Sequence, residues 1–403
     1  MNNVYVNELS RTPLEKQKFE ICERKGMGHP DTICDSIMNQ VSIELSKEYK
    51  TRFGVILHHN VDKCLLGAGE SQPSFNGGKI INPMSIIFGD RATYRVGEEL
   101  IDVQNIAERT ANEWFKKNFR FVKPEHLKFQ NQILPGSMAL QDIFSRKLST
   151  YLGANDTSAT VGYAPLTFTE KAVIWTEQVL NDYSYKLKHP EVGEDIKIMA
   201  VRKDNEIDFT VAIAMVDQFI ANEDDYFKKK EEIRGEITDL LLRYGYDDAN
   251  VTINALDVKG RETDGLYLTV LGTSAEAGDS GQVGRGNDVR GIIPLNRPAS
   301  SEAAAGKNPN SHVGKIYNVF GHYLADIMVN KISEIDEAYV WLVSQIGQPI
   351  NIPKVASVQY IPKPYVKAED KINISNMIDD ILQREFEHLD KFCDSLIEGV
   401  TVC

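Results

Sequence analysis

Short β-prone runs alternate with helix-compatible stretches along the whole chain. That alternation calls for sheets covered by helices, in an α/β or α+β arrangement. The β-prone runs are "GVILHHNVDKCLLGAG" (54–69), the two halves of "IKIMAVRKDNEIDFTVAIAMV" (196–216), "GLYLTVLG" (265–272) and "AYVWLVSQIG" (338–347). Asp204-Asn205, between the two halves of the second run, is a hairpin signal. Helices are expected after Pro30 and at about 98–118, 223–244, 315–332 and 370–398. The first carries Ile33, Ile37, Val41 and Leu45 every four residues, with Pro30 where a first helical turn tolerates it. Another helix should start in "LTFTEKAVIWTEQVL", where Thr167 and Glu170 have capping-box spacing and Val173, Ile174 and Val179 form the expected buried stripe.

At 403 residues with 42% apolar content, the chain has material for two or three domains. Its 58 acidic against 45 basic side chains give a net charge of -13. This argues against a broad nucleic-acid or membrane-surface role, so any anionic ligand must be met by local cations. The five cysteines are scattered and form no C-x-x-C pair, which suits a reduced cytosol better than a disulfide framework. The first residues lack an apolar signal region, and no run of eighteen apolar residues occurs, so a soluble, cytoplasmic protein is expected.

Cations and isolated acids recur in glycine-rich turns. In "ERKGMGHPDTICD" (23–35), His29 and Asp31 flank a helix N-terminus, with Arg24 and Lys25 close by. Unpaired N–H groups and the dipole favour an anion there, and Asp31 could hold Mg²⁺ against it. A solvated, well-capped helix start fits the same residues. "GTSAEAGDSGQVGRGND" (272–288) surrounds Glu276, Asp279 and Arg285 with small residues, and "AAAGKNPNSHVGKIYN" (303–318) sets Lys307, His312 and Lys315 ahead of a helix. Neither is a Walker loop. "YLGANDTSATVGYAPL" offers Asp156, either functional or an Asx-turn, and "VGEDIKIM" puts Asp195 and Lys197 on one face of a strand start. The shared chemistry suits a metal-polyphosphate site, whereas serine-hydrolase and zinc signatures are missing from the sequence.

In this order, from residue 23 to residue 351, these motifs, joined by "LHHNVD", "GRAT" and "SQIGQPIN", resemble the S-adenosylmethionine synthetase (methionine adenosyltransferase) family, in its archaeal-type branch. The resemblance implies that the methionine sulfur attacks C5′ of ATP, and that the released triphosphate is hydrolysed to phosphate and pyrophosphate. It implies three similar β-sheet-plus-helix subdomains about a pseudo-threefold axis, with sheets packed flat against a second subunit and active sites between the two chains. The corresponding divisions are 1–148, 149–262 and 263–403, with segments exchanged among them.

Residue by residue, the resemblance assigns His29, Lys197, Arg285 and Lys307 to catalysis at the triphosphate. It gives ATP contacts to Asp156, Asp195, His312 and Ile346 and to the loop Leu134, Pro135, Gly136, Ser137, Met138 and Ala139. Asp279 and Glu70 would meet methionine, Asp31 would bind Mg²⁺, and Asp62 a monovalent cation, expected to be K⁺. Three departures stand out: Gly286 where a lysine follows the arginine in the bacterial branch, His312 where that branch has another lysine, and "LPGSMA" in place of a more pliant loop ending in an acid. The altered loop keeps open a paralogue that acts on a methionine analogue or only hydrolyses triphosphate. A non-catalytic nucleotide-binding regulator is a further alternative.

Overall fold

The computed structural model describes residues 3–136 and 151–399. Among them, three larger sheets each carry helices. In the first, Gly281–Gln282, His59–Gly67, Met84–Ala92 and Leu127–Pro135 lie in that order. Its last two strands run parallel, as a crossover through the helix Val103–Asn118 requires. The second sheet runs Asp248–Ile253, Glu206–Val216, Val192–Lys203, Phe19–Lys25 and Ile293–Pro294, flanked by the helices Phe168–Asn181 and Glu223–Arg243. The third runs Val4–Glu8, Val355–Pro362, Ile335–Val343 and Ala159–Ala164, covered by the helix Val313–Lys331.

Chain order and sheet order diverge at the N-terminus. Val4–Glu8 pairs in parallel with Val355–Pro362, and Phe19–Lys25 is antiparallel to Val192–Lys203. The first 25 residues therefore fasten the third and second sheets before the chain enters the first. One large apolar core joins the first and third sheets, running from Ile33 and Phe88 through Phe115 to Phe320, Val340 and Phe386. The second sheet has a core of its own around Val173, Phe209, Ile237 and Tyr246.

Most local expectations hold. The helix Pro30–Phe53 buries Ile33, Ile37, Val41 and Leu45, and ends at Gly54 with φ +74°, a conformation glycine adopts without strain. Thr167 Oγ1 accepts the Glu170 N–H at 3.0 Å, while Glu170 accepts the Thr167 N–H at 2.7 Å. Lys203 faces Glu206 across the expected hairpin, with Asp204 at φ +50°.

Three details differ. The buried stripe of Phe168–Asn181 is Ala172, Val173, Thr176 and Leu180, so Val179 falls one position off it and is exposed. In "GLYLTVLG" only Leu268–Thr269 pairs as a strand, because Glu276 takes the N–H groups of Val270 and Leu271. The C-terminal helical stretch divides at His388 into Lys371–Glu387 and Leu389–Ser395. No helix among the described residues is long and apolar enough to cross a membrane.

Candidate active site

A cavity of about 530 Å³ opens where the start of the helix Pro30–Phe53 meets the start of the strand Val192–Lys203. His29, Asp195, Lys197 and Asp279 line it, facing a wall that includes Asn254, Arg261 and Tyr267. Close backbone approach brings the two starts together. Gly26 and Gly28 donate to the carbonyls of Ile196 and Glu194 at 2.7 and 3.1 Å. A Cβ on Gly28 would lie 2.3 Å from the Asp195 nitrogen, so only glycine fits. The strand also bulges between Val192 and Ile196, the register shift that precedes Lys197.

His29 caps the helix, its Nδ1 accepting the Asp31 N–H at 3.2 Å. The proton of the neutral ring then sits on Nε2, which can donate to a ligand. Burial pushes the imidazole down to about 4, outweighing the pull of Asp31, so the ring is neutral at pH 7. Asp195 is buried and accepts both the N–H and the hydroxyl of Ser274, at 2.9 and 2.8 Å. Ser274 Oγ also lies 2.9 Å from Asp279, so one hydroxyl proton serves two carboxylates. Burial raises Asp195 to about 7 despite those bonds. Lys197 is partly exposed, with Glu23 at 3.4 Å.

Asp31 and Arg285 adjoin this site. Asp31 accepts the Gln282 N–H on one oxygen and the Lys25 ammonium on the other, both at 2.9 Å. Lys25 also donates to the Arg285 carbonyl at 2.6 Å, while the Arg285 side chain is exposed. No group of three or more histidine, cysteine or carboxylate side chains among the described residues could cage a metal ion. One carboxylate with lone pairs to spare, beside a helix start suited to phosphate, matches how Mg²⁺ is usually held by protein and phosphates together.

The remaining candidates lie elsewhere in the chain. Lys307 is buried, 2.7 Å from Asp62 and 3.2 Å from Glu302, where Gly306 packs onto the strand His59–Gly67. Lys63 approaches the other Asp62 oxygen at 2.6 Å. His312 caps the helix Val313–Lys331 through the Gly314 N–H, and burial, then Lys307, lowers it to about 3. Asp156 and Ile346 are neighbours through Thr157, whose N–H donates to Asp156 and whose hydroxyl accepts the Ile346 N–H. Glu70 is exposed and accepts from Asn82 at 2.6 Å. Leu134 and Pro135 extend a strand opposite Arg91 and Ala92, and Gly136 follows beside His58. Ser137, Met138 and Ala139 lie outside the described residues.

One chain therefore gathers His29, Asp31, Asp195, Lys197, Asp279 and Arg285 around one helix start, and Lys307, Asp62 and His312 around another. Sequence reasoning missed Ser274, the wall from Asn254 to Tyr267, and Asp35, which accepts N–H groups from Gly284 and Gly286. Only Asp35 had a local signal, standing four residues after Asp31 on the same helix face.

A family model described as S-adenosylmethionine synthetase (AdoMet synthetase) matches residues 2–400. A probable S-adenosylmethionine synthase of Aquifex aeolicus is 45% identical over 392 residues, 96% of each chain. The S-adenosylmethionine synthase of Pyrococcus furiosus is 45% identical over 364 residues, 90% of each chain. The fold matches that of an S-adenosylmethionine synthetase from Campylobacter jejuni, with a TM-score of 0.60 at 17% identity, over 95% of this chain and 94% of that one.

Proposed function

The chain belongs to the S-adenosylmethionine synthetase family and makes S-adenosylmethionine from ATP and methionine, and on that premise we propose that the reaction runs in the cavity at His29. The observation that carries this reading is the cavity where His29, at a helix start and with Nδ1 taken up by the Asp31 N–H, stands beside Lys197 and Asp279. A thioether sulfur needs no deprotonation to attack C5′, so the protein's task is alignment and stabilisation of the leaving triphosphate. His29 Nε2–H meets the oxygen that breaks from C5′. Lys197 and Arg285 balance charge along the chain of phosphates, and the same groups retain the triphosphate while water cleaves it to phosphate and pyrophosphate. Asp279 accepts from the methionine ammonium, and Asp195 fixes Ser274 at the floor.

Asp31 would hold Mg²⁺, which when bound neutralises part of the triphosphate charge. Asp62 does not fit K⁺, because it faces two ammonium groups, Lys63 and Lys307, which more than balance its charge, whereas Asp31 faces one.

We assign Lys307, His312, Asp156, Ile346 and Glu70 to the same reaction, although none of them lines the cavity within one chain. That separation supports a homodimer in which each site takes the His29 group from one copy and the Lys307 group from the other. Leu134, Pro135 and Gly136 would then reach ATP across the interface. The three sheets support a threefold division with boundaries near 148 and 262 only if strands are exchanged: Val4–Glu8, Phe19–Lys25, Ala159–Ala164, Gly281–Gln282 and Ile293–Pro294 each join a sheet built mainly from another segment. Buried free Cys22, Cys34, Cys64 and Cys393 support a reducing, cytoplasmic setting. Incubation with ATP, Mg²⁺ and methionine tests the reading: it expects the sulfonium product with phosphate and pyrophosphate. Triphosphate hydrolysis without sulfonium would contradict it.

A further inference from the structure

Asp35 stands one turn after Asp31 on the helix Pro30–Phe53 and is only 2% exposed. Its oxygens accept the N–H groups of Gly284 and Gly286 at 2.8 and 3.2 Å. With the Gln282 N–H on Asp31, the alternate amides of Gln282, Gly284 and Gly286 are taken by carboxylates of this one helix. The opposite side is fixed as well. Lys25 Nζ donates to the Arg285 carbonyl, and Asn287 exchanges two hydrogen bonds with the Lys25 backbone at 2.9 and 2.7 Å. The Arg285 backbone is thereby held from two directions while its side chain stays exposed.

The fit at Asp35 is tight. A Cβ on Gly286 would lie 2.2 Å from its Oδ2, which gives a physical reason for glycine at that position. Gly284 adopts φ +83°, which turns its N–H toward the helix at little conformational cost. Burying a carboxyl group is costly unless its oxygens are hydrogen-bonded, and here backbone donors on both sides of Arg285 offset part of that cost, burial still raising Asp35 to about 7. A segment packed by apolar contacts alone would gain nothing from a buried acid at this point.

We propose that Asp35 is a positioning residue for adenosyl transfer: through the amides of Gly284 and Gly286 it sets the backbone of Arg285, and so the direction in which the guanidinium meets the triphosphate. The inference rests on the assignment of Arg285 to the leaving group made above. Asp35 is buried with both oxygens on backbone amides flanking Arg285, so its loss acts through Arg285. Turnover falls while KM for methionine stays near that of the parent.

A double-mutant cycle in the full-length enzyme tests this. Asp35→Asn keeps the volume but replaces one of the two acceptor oxygens with an NH₂, which then faces one of the two amide donors. In the parent background kcat should fall about tenfold to a hundredfold, the scale of a misdirected catalytic group. In an Arg285→Ala background the same change should cost almost nothing further, because the interaction it supports is already gone. An equal loss in both backgrounds, no loss in either, or a loss confined to methionine KM overturns the proposal. If Asp35→Asn yields no folded protein, Gly286→Ala strains the same contact with the carboxylate retained, and the same criteria apply to it. A parent-like rate in Arg285→Ala would overturn the assignment of Arg285, and the role of Asp35 with it. A slow Arg285→Ala with a background-independent Asp35 effect overturns the positioning role alone.

Discussion

His29 Nδ1 accepts the backbone N–H of Asp31 at 3.2 Å, and that single bond decides which face of the imidazole is available for chemistry. It fixes the proton on Nε2, so a neutral ring donates toward the cavity. His29→Ala removes both the cap and the donor. Turnover should fall by about a hundredfold or more, as when one donor to a developing negative charge is lost. Because burial lowers His29 to about 4, the parent rate should show no inflection near pH 6.5 from this residue. A kcat profile with a histidine-like step at pH 6.5 that vanishes in His29→Ala would show the ring working in its charged form.

Asp31 joins the metal reading to the local structure. Asp31→Asn keeps an acceptor for the Gln282 N–H but removes the charge beside Lys25. The Mg²⁺ concentration for half-maximal rate should rise several-fold. Stability should drop by about 1–3 kcal/mol, the usual effect of losing one partner of a part-buried charged hydrogen bond. An unchanged Mg²⁺ dependence, read by titration at saturating ATP and methionine, would move the metal elsewhere.

The acid side of the stability curve should carry a histidine signature. His59 is fully buried, with Ser42 Oγ at 2.9 Å, the Leu57 carbonyl at 3.1 Å and Asn308 behind it. Burial holds it down to about 3. Below the unfolded value of about 6.5 the unfolded chain binds a proton that the native chain refuses. The stabilising contribution is therefore complete above that pH and is lost as pH falls toward 3. His58, His312 and His322 are lowered by burial too and act in the same direction. His59→Gln should reduce the slope of unfolding free energy between pH 6.5 and 4 by about one proton. Urea unfolding at several pH values checks it, and a slope equal to the parent's would contradict it.

What the sequence makes legible here is what neighbouring residues decide. Pro30 after His29, Glu170 after Thr167 and Asp204 between two β-prone runs each set a cap or turn within four residues, and each appears in the structure. His29, Asp195, Lys197 and Asp279, the candidates that family resemblance assigns, line one cavity. Contacts between distant segments were not legible. Asp35 meets Gly284 across 249 positions, and nothing near either residue announces the other. "GLYLTVLG" has strand composition, yet Glu276 captures two of its amides and leaves only Leu268–Thr269 to pair. The pairing of Val4–Glu8 with Val355–Pro362 belongs to topology, which local propensity does not encode.

In the proposed homodimer, His29 and Lys307 serve one site from two different copies of the chain. His29→Ala and Lys307→Met are each prepared, shown to be folded, and then mixed under conditions that exchange subunits. Each variant alone should be nearly inactive. In a mixed dimer one site carries both lesions and the other carries neither, so random exchange should restore about a quarter of the parent activity, as two-fold symmetry requires. If mixing restores nothing although hybrid dimers have formed, the two residues serve sites within a single chain, and the account of a site built between subunits is wrong.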